Sequence, residues 1–449
     1  MTAANPLTGA RLLKSTMKLM ARNTIGRLPA PPSRLAGKLA IHGGVPVRDV
    51  RLRPYADARA GGWADWRASV GPAFRRIFLS GAEGLPGPLA REFERQWAAY
   101  CGCRHALLLP HGTDALRVAL AAVFDHDGLE YGGEVIVPNL SFIASATSCL
   151  DRRFGVALVD VDPDTMMLDP AAVEAAIVAG RTRAIMPVHQ FGHPADMTAL
   201  TAIARRHGLK IIEDAAQAHG AEWETGKAGA LGDAAGFSFQ SSKTLACGEG
   251  GVLTTSDDAV IARARSICDV GRAPEGGSRW EHPELGWNLR PTEYQASLLL
   301  HRLRRFDALQ ARRAKRFDLL EGLIGEEQAL TPLRRHPGVR RHGMYMFAMR
   351  YRPERCRGAP LEIFLAALAA EGAPVHRLYP ATIAGQPIMR KLMATRPDYV
   401  RVLPTPNADR AIDELVYIAH EIFLGTDADM QDIAAAIAKV TAHYAAGGA

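Results

Sequence analysis

Three segments of the sequence carry residues that could bind an anion, hold a cationic ring nitrogen and supply a reactive amine. The first, His111-Gly112-Thr113-Asp114, follows the apolar run His105–Leu109 and opens a predicted helix. Glycine lets a backbone approach a ligand closely, and free amides at the start of a helix donate to anions. The segment predicts an anion site, while an ordinary turn capped by Thr113 or Asp114 explains the same residues equally well.

The second segment places an acid at the end of a predicted strand. Glu213-Asp214-Ala215-Ala216-Gln217 begins where the apolar strand Leu209–Glu213 ends. A carboxylate at this position could cap a helix or hold a cationic ring nitrogen. Taken alone, these residues favour the helix cap, and Asp214 is a candidate site residue.

The third segment contains a lysine between the apolar strand Ala234–Phe239 and the glycine-rich turn Gly248–Gly251. Lys243 could lose part of its solvation there, and a neutral amine can form a Schiff base with an aldehyde. An exposed surface lysine is the alternative. A phosphate cradle, an acid for a ring nitrogen and a lysine for an aldehyde together are what pyridoxal phosphate requires.

The sequence resembles the DegT/DnrJ/EryC1/StrS aminotransferases, the sugar and cyclitol branch of the fold-type-I pyridoxal phosphate enzymes. The resemblance runs from about Leu39 to Leu424 and is carried by the motifs Glu213–Gly220 and Phe237–Gly251. It implies that the cofactor is pyridoxal 5'-phosphate, that Lys243 forms the Schiff base and that Asp214 pairs with the pyridine nitrogen. It also implies the other cofactor contacts: Gln217 at the ring hydroxyl, Gly112, Thr113 and Ser238 at the phosphate, and Phe142 stacked on the ring.

The segment Gly286–Ala296 is similar to the family segment in which an asparagine reaches the phosphate of the neighbouring subunit. Asn288 therefore implies a homodimer with shared active sites. His111 departs from the family pattern, in which a small or amide residue more often precedes the Gly-Thr pair. Its imidazole either adds a contact to the phosphate loop or points away from it.

The substrate is less sharply indicated than the cofactor. The segments Leu39–Arg48, Pro187–Gly192 and Pro406–Arg410 are most similar to family members that aminate scyllo-inosose or 2-deoxy-scyllo-inosose. The resemblance implies L-glutamine or L-glutamate as donor and a keto-cyclitol or keto-sugar as acceptor. His189 could contact either substrate or serve only in packing. The alternatives are a nucleotide-sugar aminotransferase, an enzyme similar to aminohydroxybenzoate synthase, and a non-catalytic regulatory or binding protein.

Strands and helices alternate from about Leu89 onwards, which predicts βαβ units and a mostly parallel sheet. The last two strands, Ala234–Phe239 and Gly251–Thr255, are separated by little helix, so one of them is expected to run antiparallel and to end the sheet. The pattern beyond residue 257 predicts mainly helices, including Arg410–Phe423, with one strand at Met344–Tyr351. We expect an α/β fold of the aspartate aminotransferase type, with a large domain over residues 39–310 and a small α+β domain over residues 311–449.

Charge and cysteine content argue against several classes of protein. The 449 residues carry a formal net charge of +7, but residues 1–48 hold eight basic residues and no acid, so the remainder is close to neutral. This distribution argues against a general nucleic-acid surface. Residues 1–38 are expected to form a poorly ordered basic extension, with a membrane-associated amphipathic helix as the alternative. Six cysteines without a paired C-x-x-C spacing predict neither disulfides nor a metal site, and they indicate a cytoplasmic protein.

Overall fold

A computed structural model of the chain describes residues 38–50, 67, 70–81, 87–273, 278 and 280–448. All of them fall within one compact unit, Gly37–Ala449, and the division into two domains near residue 310 stays a prediction. Apart from Lys38, the predicted basic extension lies outside the described residues. Within the described ranges, no helix has the length and apolar character needed to cross a membrane.

The described chain forms helices and strands in an order close to the predicted one. The strands are β1 His105–Leu109, β2 Glu134–Pro138, β3 Gly155–Val159, β4 Thr182–Ile185, β5 Lys210–Asp214, β6 Glu222–Trp223, β7 Gly226–Lys227, β8 Ala234–Ser238, β9 Gly251–Thr255, β10 Leu330–Pro332, β11 Val339–Arg341, β12 Met346–Tyr351, β13 His376–Arg377, β14 Val400–Val402 and β15 Leu415–Ala419. The helices are α1 Gly71–Ser80, α2 Pro88–Cys101, α3 Gly112–Phe124, α4 Ala144–Asp151, α5 Pro170–Ala176, α6 Met197–His207, α7 Asp258–Cys268, α8 Glu293–Leu323, α9 Leu361–Ala370, α10 Pro387–Thr395, α11 Pro406–Glu414 and α12 Asp427–Ala445.

The main sheet has eight strands in the order β1-β9-β8-β5-β4-β2-β3-β14. Strand β9 pairs antiparallel with both β1 and β8, and every other pairing in the sheet is parallel. The α/β fold class, the mostly parallel sheet and the single antiparallel strand are therefore confirmed. Strands such as β2 and β3 are buried along their whole length, which explains why they are apolar runs without alternation.

The sequence predicted that β9 is the last strand of the sheet in chain order, and this prediction is wrong. Strand β14 returns from the C-terminal part of the chain and pairs parallel with β3. The three residues Val-Arg-Val are too short a pattern to be recognised as a strand in the sequence, and only the pairing with β3 defines them as one.

The predicted helix Arg410–Phe423 is also wrong over its second half. Helix α11 ends at Glu414, and the next five residues form β15, which pairs antiparallel with β12. Strand β15 is the run Leu-Val-Tyr-Ile-Ala, rich in residues that favour strands. It follows a helix with no glycine or proline between the two, so no helix-breaking residue marks the point of change.

The N-terminal segment is attached to the C-terminal part of the fold. Leu39 is fully buried in the same apolar cluster as Phe364 and Phe423. The Arg48 guanidinium lies 2.5 Å from an Asp429 carboxylate oxygen and 3.3 Å from one of Asp432. Burial of these charges is compensated by pairing, because an unpaired buried charge would be strongly destabilising.

Candidate active site

The predicted site residues lie where strands of the main sheet end. Strands β1, β2, β4, β5 and β8 run in the same direction, so their carboxyl ends share one edge of the sheet. Ligands of open α/β sheets bind at this edge. The segments that follow β1, β5 and β8 are the three that the sequence singled out.

The predicted anion site lies where the start of α3 meets the end of β8. A β-carbon added at Gly112 would lie 2.7 Å from Cβ of Ser238, and one added at Gly251 would lie 2.2 Å from the carbonyl oxygen of His111. Both approaches are too close for any residue but glycine. His111 provides no side-chain cap to α3, and its Nδ1 lies 3.2 Å from a carboxylate oxygen of Glu249. The imidazole therefore points away from the helix start.

Asp214 is the last residue of β5 and is only 5% exposed. One oxygen accepts a hydrogen bond from the hydroxyl of Ser145 at 2.7 Å, and the other accepts one from the amide of Ala216 at 3.2 Å. The Ser145 hydroxyl also lies 2.8 Å from that of Ser141. Burial raises the pKa of Asp214, while these hydrogen bonds and the charge of Lys243 act in the opposite direction.

Gln217 is held with its amide in a defined orientation. Its Oε1 accepts a hydrogen bond from the backbone amide of Phe191 at 2.7 Å, and its Nε2 donates to the hydroxyl of Tyr379 at 3.3 Å. Phe191 adopts a left-handed backbone conformation, with φ of 61°. The amide nitrogen carries two hydrogens, and the one that does not point to Tyr379 remains to donate to a ligand.

Lys243 lies in a closed loop that follows β8. The loop is tied by backbone hydrogen bonds from Cys247 to Phe239 and from Phe239 to Gly250, each 2.8 Å long. The Lys243 amine lies 3.4 Å from the hydroxyl oxygen of Tyr345 and 4.6 Å from the centre of its ring. The amine thus has a defined position, and its charge acts on Asp214.

Three predicted cofactor contacts are exposed in the single chain. Thr113 lies in the first turn of α3, Phe142 follows β2 with 60% of its surface exposed, and Asn288 lies between α7 and α8. The Asn288 side chain makes no hydrogen bond to other described residues, and its backbone bridges Asp269. Their exposure is compatible with a site completed by a second subunit.

His189 is fully buried and has partners for both ring nitrogens. Its Nδ1 accepts a hydrogen bond from the Ala195 amide at 3.0 Å, so its Nε2 carries the hydrogen and donates to Glu213 at 3.0 Å. The Glu213 carboxylate also accepts from the amides of Gly229, Leu231 and Gly232. This arrangement favours the packing role of His189 over a substrate contact.

The structure adds three residues that sequence analysis did not identify: Ser145 at the carboxylate of Asp214, Tyr345 at the amine of Lys243, and Tyr379 at the amide of Gln217. Ser145 lies three residues beyond Phe142, in a segment already noted, so its position was a usable signal. The two tyrosines come from the C-terminal third of the chain, and no local motif marks them.

Comparison with known proteins identifies relatives over most of the chain. Residues 72–438 match the model of the DegT/DnrJ/EryC1/StrS aminotransferase family. The chain is 40% identical over 367 residues to an L-glutamine:scyllo-inosose aminotransferase from Streptomyces griseus, covering 78% of this chain and 85% of the relative. It is 37% identical over 430 residues to an L-glutamine:2-deoxy-scyllo-inosose aminotransferase from Streptoalloteichus tenebrarius, covering 90% and 98%.

A solved structure of 3-amino-5-hydroxybenzoic acid synthase superposes on the fold with a TM-score of 0.75. The two sequences are 31% identical, and the match covers 87% of this chain and 99% of the other.

Proposed function

The chain belongs to the DegT/DnrJ/EryC1/StrS aminotransferase family, and from this membership we propose that it transfers an amino group to a ketone on a cyclitol of the scyllo-inosose type. L-glutamine or L-glutamate would be the donor. The observation that carries the proposal is the convergence of the Gly112–Ser238 contact, the buried Asp214 carboxylate and the Lys243 amine on one edge of the sheet.

The residues at this edge fit pyridoxal 5'-phosphate. The start of α3 offers backbone amides beside Gly112 and Ser238, where no larger side chain fits and a phosphate could approach. The carboxylate of Asp214 is buried and lacks a cationic partner within hydrogen-bonding distance among the described residues, so a protonated ring nitrogen suits it. Gln217 presents an amide nitrogen to a ring hydroxyl.

When bound, the cofactor supplies an electron sink for the carbon that loses its proton. Lys243 would anchor the cofactor's aldehyde and, once released, use its amine to take the proton from the donor's Cα and deliver it to the former aldehyde carbon of the cofactor. Asp214 would keep the ring nitrogen protonated, and the hydrogen bond from Ser145 would orient its carboxylate. Gln217 would fix the tilt of the ring through the ring hydroxyl.

The names of the relatives support the substrate class. Two of them are named as glutamine-dependent aminotransferases of scyllo-inosose and 2-deoxy-scyllo-inosose, at 40% and 37% identity. Both names specify L-glutamine, so we propose glutamine ahead of glutamate. The acceptor would be a ketone on a polyhydroxylated six-membered carbon ring.

An acceptor panel tests this substrate class. The purified protein, loaded with pyridoxal phosphate, is incubated with L-glutamine and each of scyllo-inosose, 2-deoxy-scyllo-inosose and a nucleoside diphosphate keto-sugar, and amines are detected by mass spectrometry. We expect the inososes to be aminated at least about tenfold faster than the nucleotide sugar. Faster amination of the nucleotide sugar would replace the proposed substrate class with that alternative.

We further propose that the enzyme is a homodimer with shared sites. Thr113, Phe142 and Asn288 are exposed in one chain, as are large apolar side chains on α1 and in the segment before α8. These last are Phe78, Leu79, Trp280 and Leu285. Aromatic side chains such as Phe78 and Trp280 are enriched at subunit interfaces.

Mixed dimers test whether the sites are shared. Lys243→Ala removes the amine from a subunit's own site, whereas Asn288→Asp would place a carboxylate against the phosphate of the neighbouring site. Each variant alone should be nearly inactive, but an equal mixture that exchanges subunits should recover about a quarter of the wild-type rate, because half the dimers contain one intact site. No recovery, despite demonstrated subunit exchange, would contradict sharing through Asn288.

A further inference from the structure

The segment that leads into β12 is fixed against the loop at Phe191. The amide of Gly343 donates to the carbonyl of Gly192 at 2.6 Å, and the amide of Tyr345 donates to that of Phe191 at 3.1 Å. Gln310 on α8 donates to the carbonyl of Gly343 at 2.7 Å. The segment is therefore held from two sides, by a loop of the main sheet and by the long helix.

The same segment contains an unusual backbone conformation. Met344 is buried and adopts φ of 51°, in the left-handed region that residues other than glycine rarely occupy. A β-carbon at Gly192 would lie within 3.0 Å of backbone atoms of residues 343–345, so the two backbones are packed closely. Strained residues of this kind persist only where surrounding contacts over-determine them, and they cluster at functional sites.

The consequence of this geometry is the position of the Tyr345 side chain. Tyr345 is only 6% exposed, and its hydroxyl oxygen lies 3.4 Å from the Lys243 amine and 3.3 Å from the Ser242 hydroxyl. The ring of His420 lies 6.0 Å from the ring of Tyr345, centre to centre. His420 also donates from Nε2 to the carbonyl of Ser242 at 2.9 Å. It therefore contacts both the tyrosine ring and the loop that contains Lys243.

We infer that Tyr345 is a positioning residue that holds the Lys243 amine in place while this amine carries the proton of the transfer reaction. The inference rests on the proposed function. A phenol oxygen accepts a hydrogen bond from an ammonium and donates one to a neutral amine, so it serves both states of the lysine. The ring face, 4.6 Å from the amine, attracts the cationic state. Tyr345 itself gains and loses no proton overall.

The first test uses Tyr345→Phe, which removes the hydroxyl and keeps the ring. Tyr351→Phe is the matched control, because Tyr351 lies at the end of β12, the strand that follows Tyr345, and its hydroxyl donates to the carbonyl of Ala359 at 2.6 Å, away from Lys243. Bleaching of the cofactor's visible band by saturating L-glutamine is followed in a stopped-flow instrument. We expect Tyr345→Phe to slow the limiting rate about tenfold or more, with the half-saturating donor concentration and the initial band within about twofold of wild type.

The second test needs no cofactor. Lys243 in the protein freed of cofactor is labelled with an amine-reactive reagent, and the label is quantified on its peptide by mass spectrometry. Tyr345→Leu removes both the hydroxyl and the ring, so we expect Lys243 to be labelled several-fold faster than in wild type. Tyr351→Phe should label at the wild-type rate.

Two results would overturn the inference. One is a limiting bleaching rate for Tyr345→Phe within twofold of wild type, and the other is equal labelling of Lys243 in Tyr345→Leu and wild type, with both variants shown to be folded by their melting curves. A wild-type protein that forms no visible band, or whose band glutamine does not bleach, would instead overturn the proposed function.

Discussion

The Lys243→Ala variant should lose aminotransferase activity by about 10⁴-fold, the upper end of what a positioned proton-transfer group contributes. Lys243 is the amine at the edge of the sheet that holds Asp214 and the Gly112 turn, and alanine removes both the anchor for the aldehyde and the base. The half-reaction with glutamine should fall as far as the full reaction, because each half needs the same amine. Rates are measured in single-turnover experiments with the two halves run separately.

Lys315→Ala is a suitable control for this change. The Lys315 amine pairs with Asp427 at 2.9 Å on the surface, with 67% of its side chain exposed, and such pairs contribute little to stability. We expect this control to keep the wild-type rate. A Lys243→Ala protein that is folded and retains more than about one per cent of the activity would remove Lys243 from the proposed mechanism.

The Asp214→Asn variant should lose activity by about 10² to 10³-fold, comparable to removal of one preorganised electrostatic group. Asparagine has nearly the shape of aspartate and can still accept the hydrogen bond from Ser145, but it lacks the negative charge that would keep a ring nitrogen protonated. The loss should therefore appear in the limiting rate of the half-reaction. Unchanged turnover in this variant would mean that no ring nitrogen is paired with Asp214.

The same substitution should stabilise the protein when the cofactor is removed. Burial raises the pKa of Asp214, so between its ordinary and its raised pKa the folded protein binds more protons than the unfolded chain. The free energy of unfolding then falls as pH rises through this window. At neutral pH the cofactor-free Asp214→Asn protein should melt at a higher temperature than cofactor-free wild type, and the difference should shrink as the solution is acidified. A lower melting temperature at neutral pH would contradict this account of the carboxylate.

The residues that sequence analysis identified share a local signal. Gly112, Asp214 and Lys243 each lie at or just after the end of a strand, beside glycine or beside a change from apolar to polar residues. The fold class could be predicted for the same reason, because alternating strands and helices are a local pattern repeated along the chain. The roles of these residues came from the family resemblance and remain proposals.

The residues that could not be predicted from the sequence owe their roles to contacts between distant parts of the chain. Ser145 and Asp214 are separated by 69 positions, and Lys243 and Tyr345 by 102. Likewise, β15 is a strand because it lies beside β12, and the run Leu415–Ala419 directly after a helix is equally compatible with its continuation. Such features become visible only when the topology brings the segments together.

The aminotransferase function is tested most directly by the visible absorption spectrum of the purified protein with pyridoxal phosphate, recorded alone, after L-glutamine, and again after removal of the donor and addition of 2-deoxy-scyllo-inosose. We expect a yellow band that glutamine bleaches and that the inosose restores. A protein that forms no band, or a band that glutamine leaves unchanged, would contradict the proposed function.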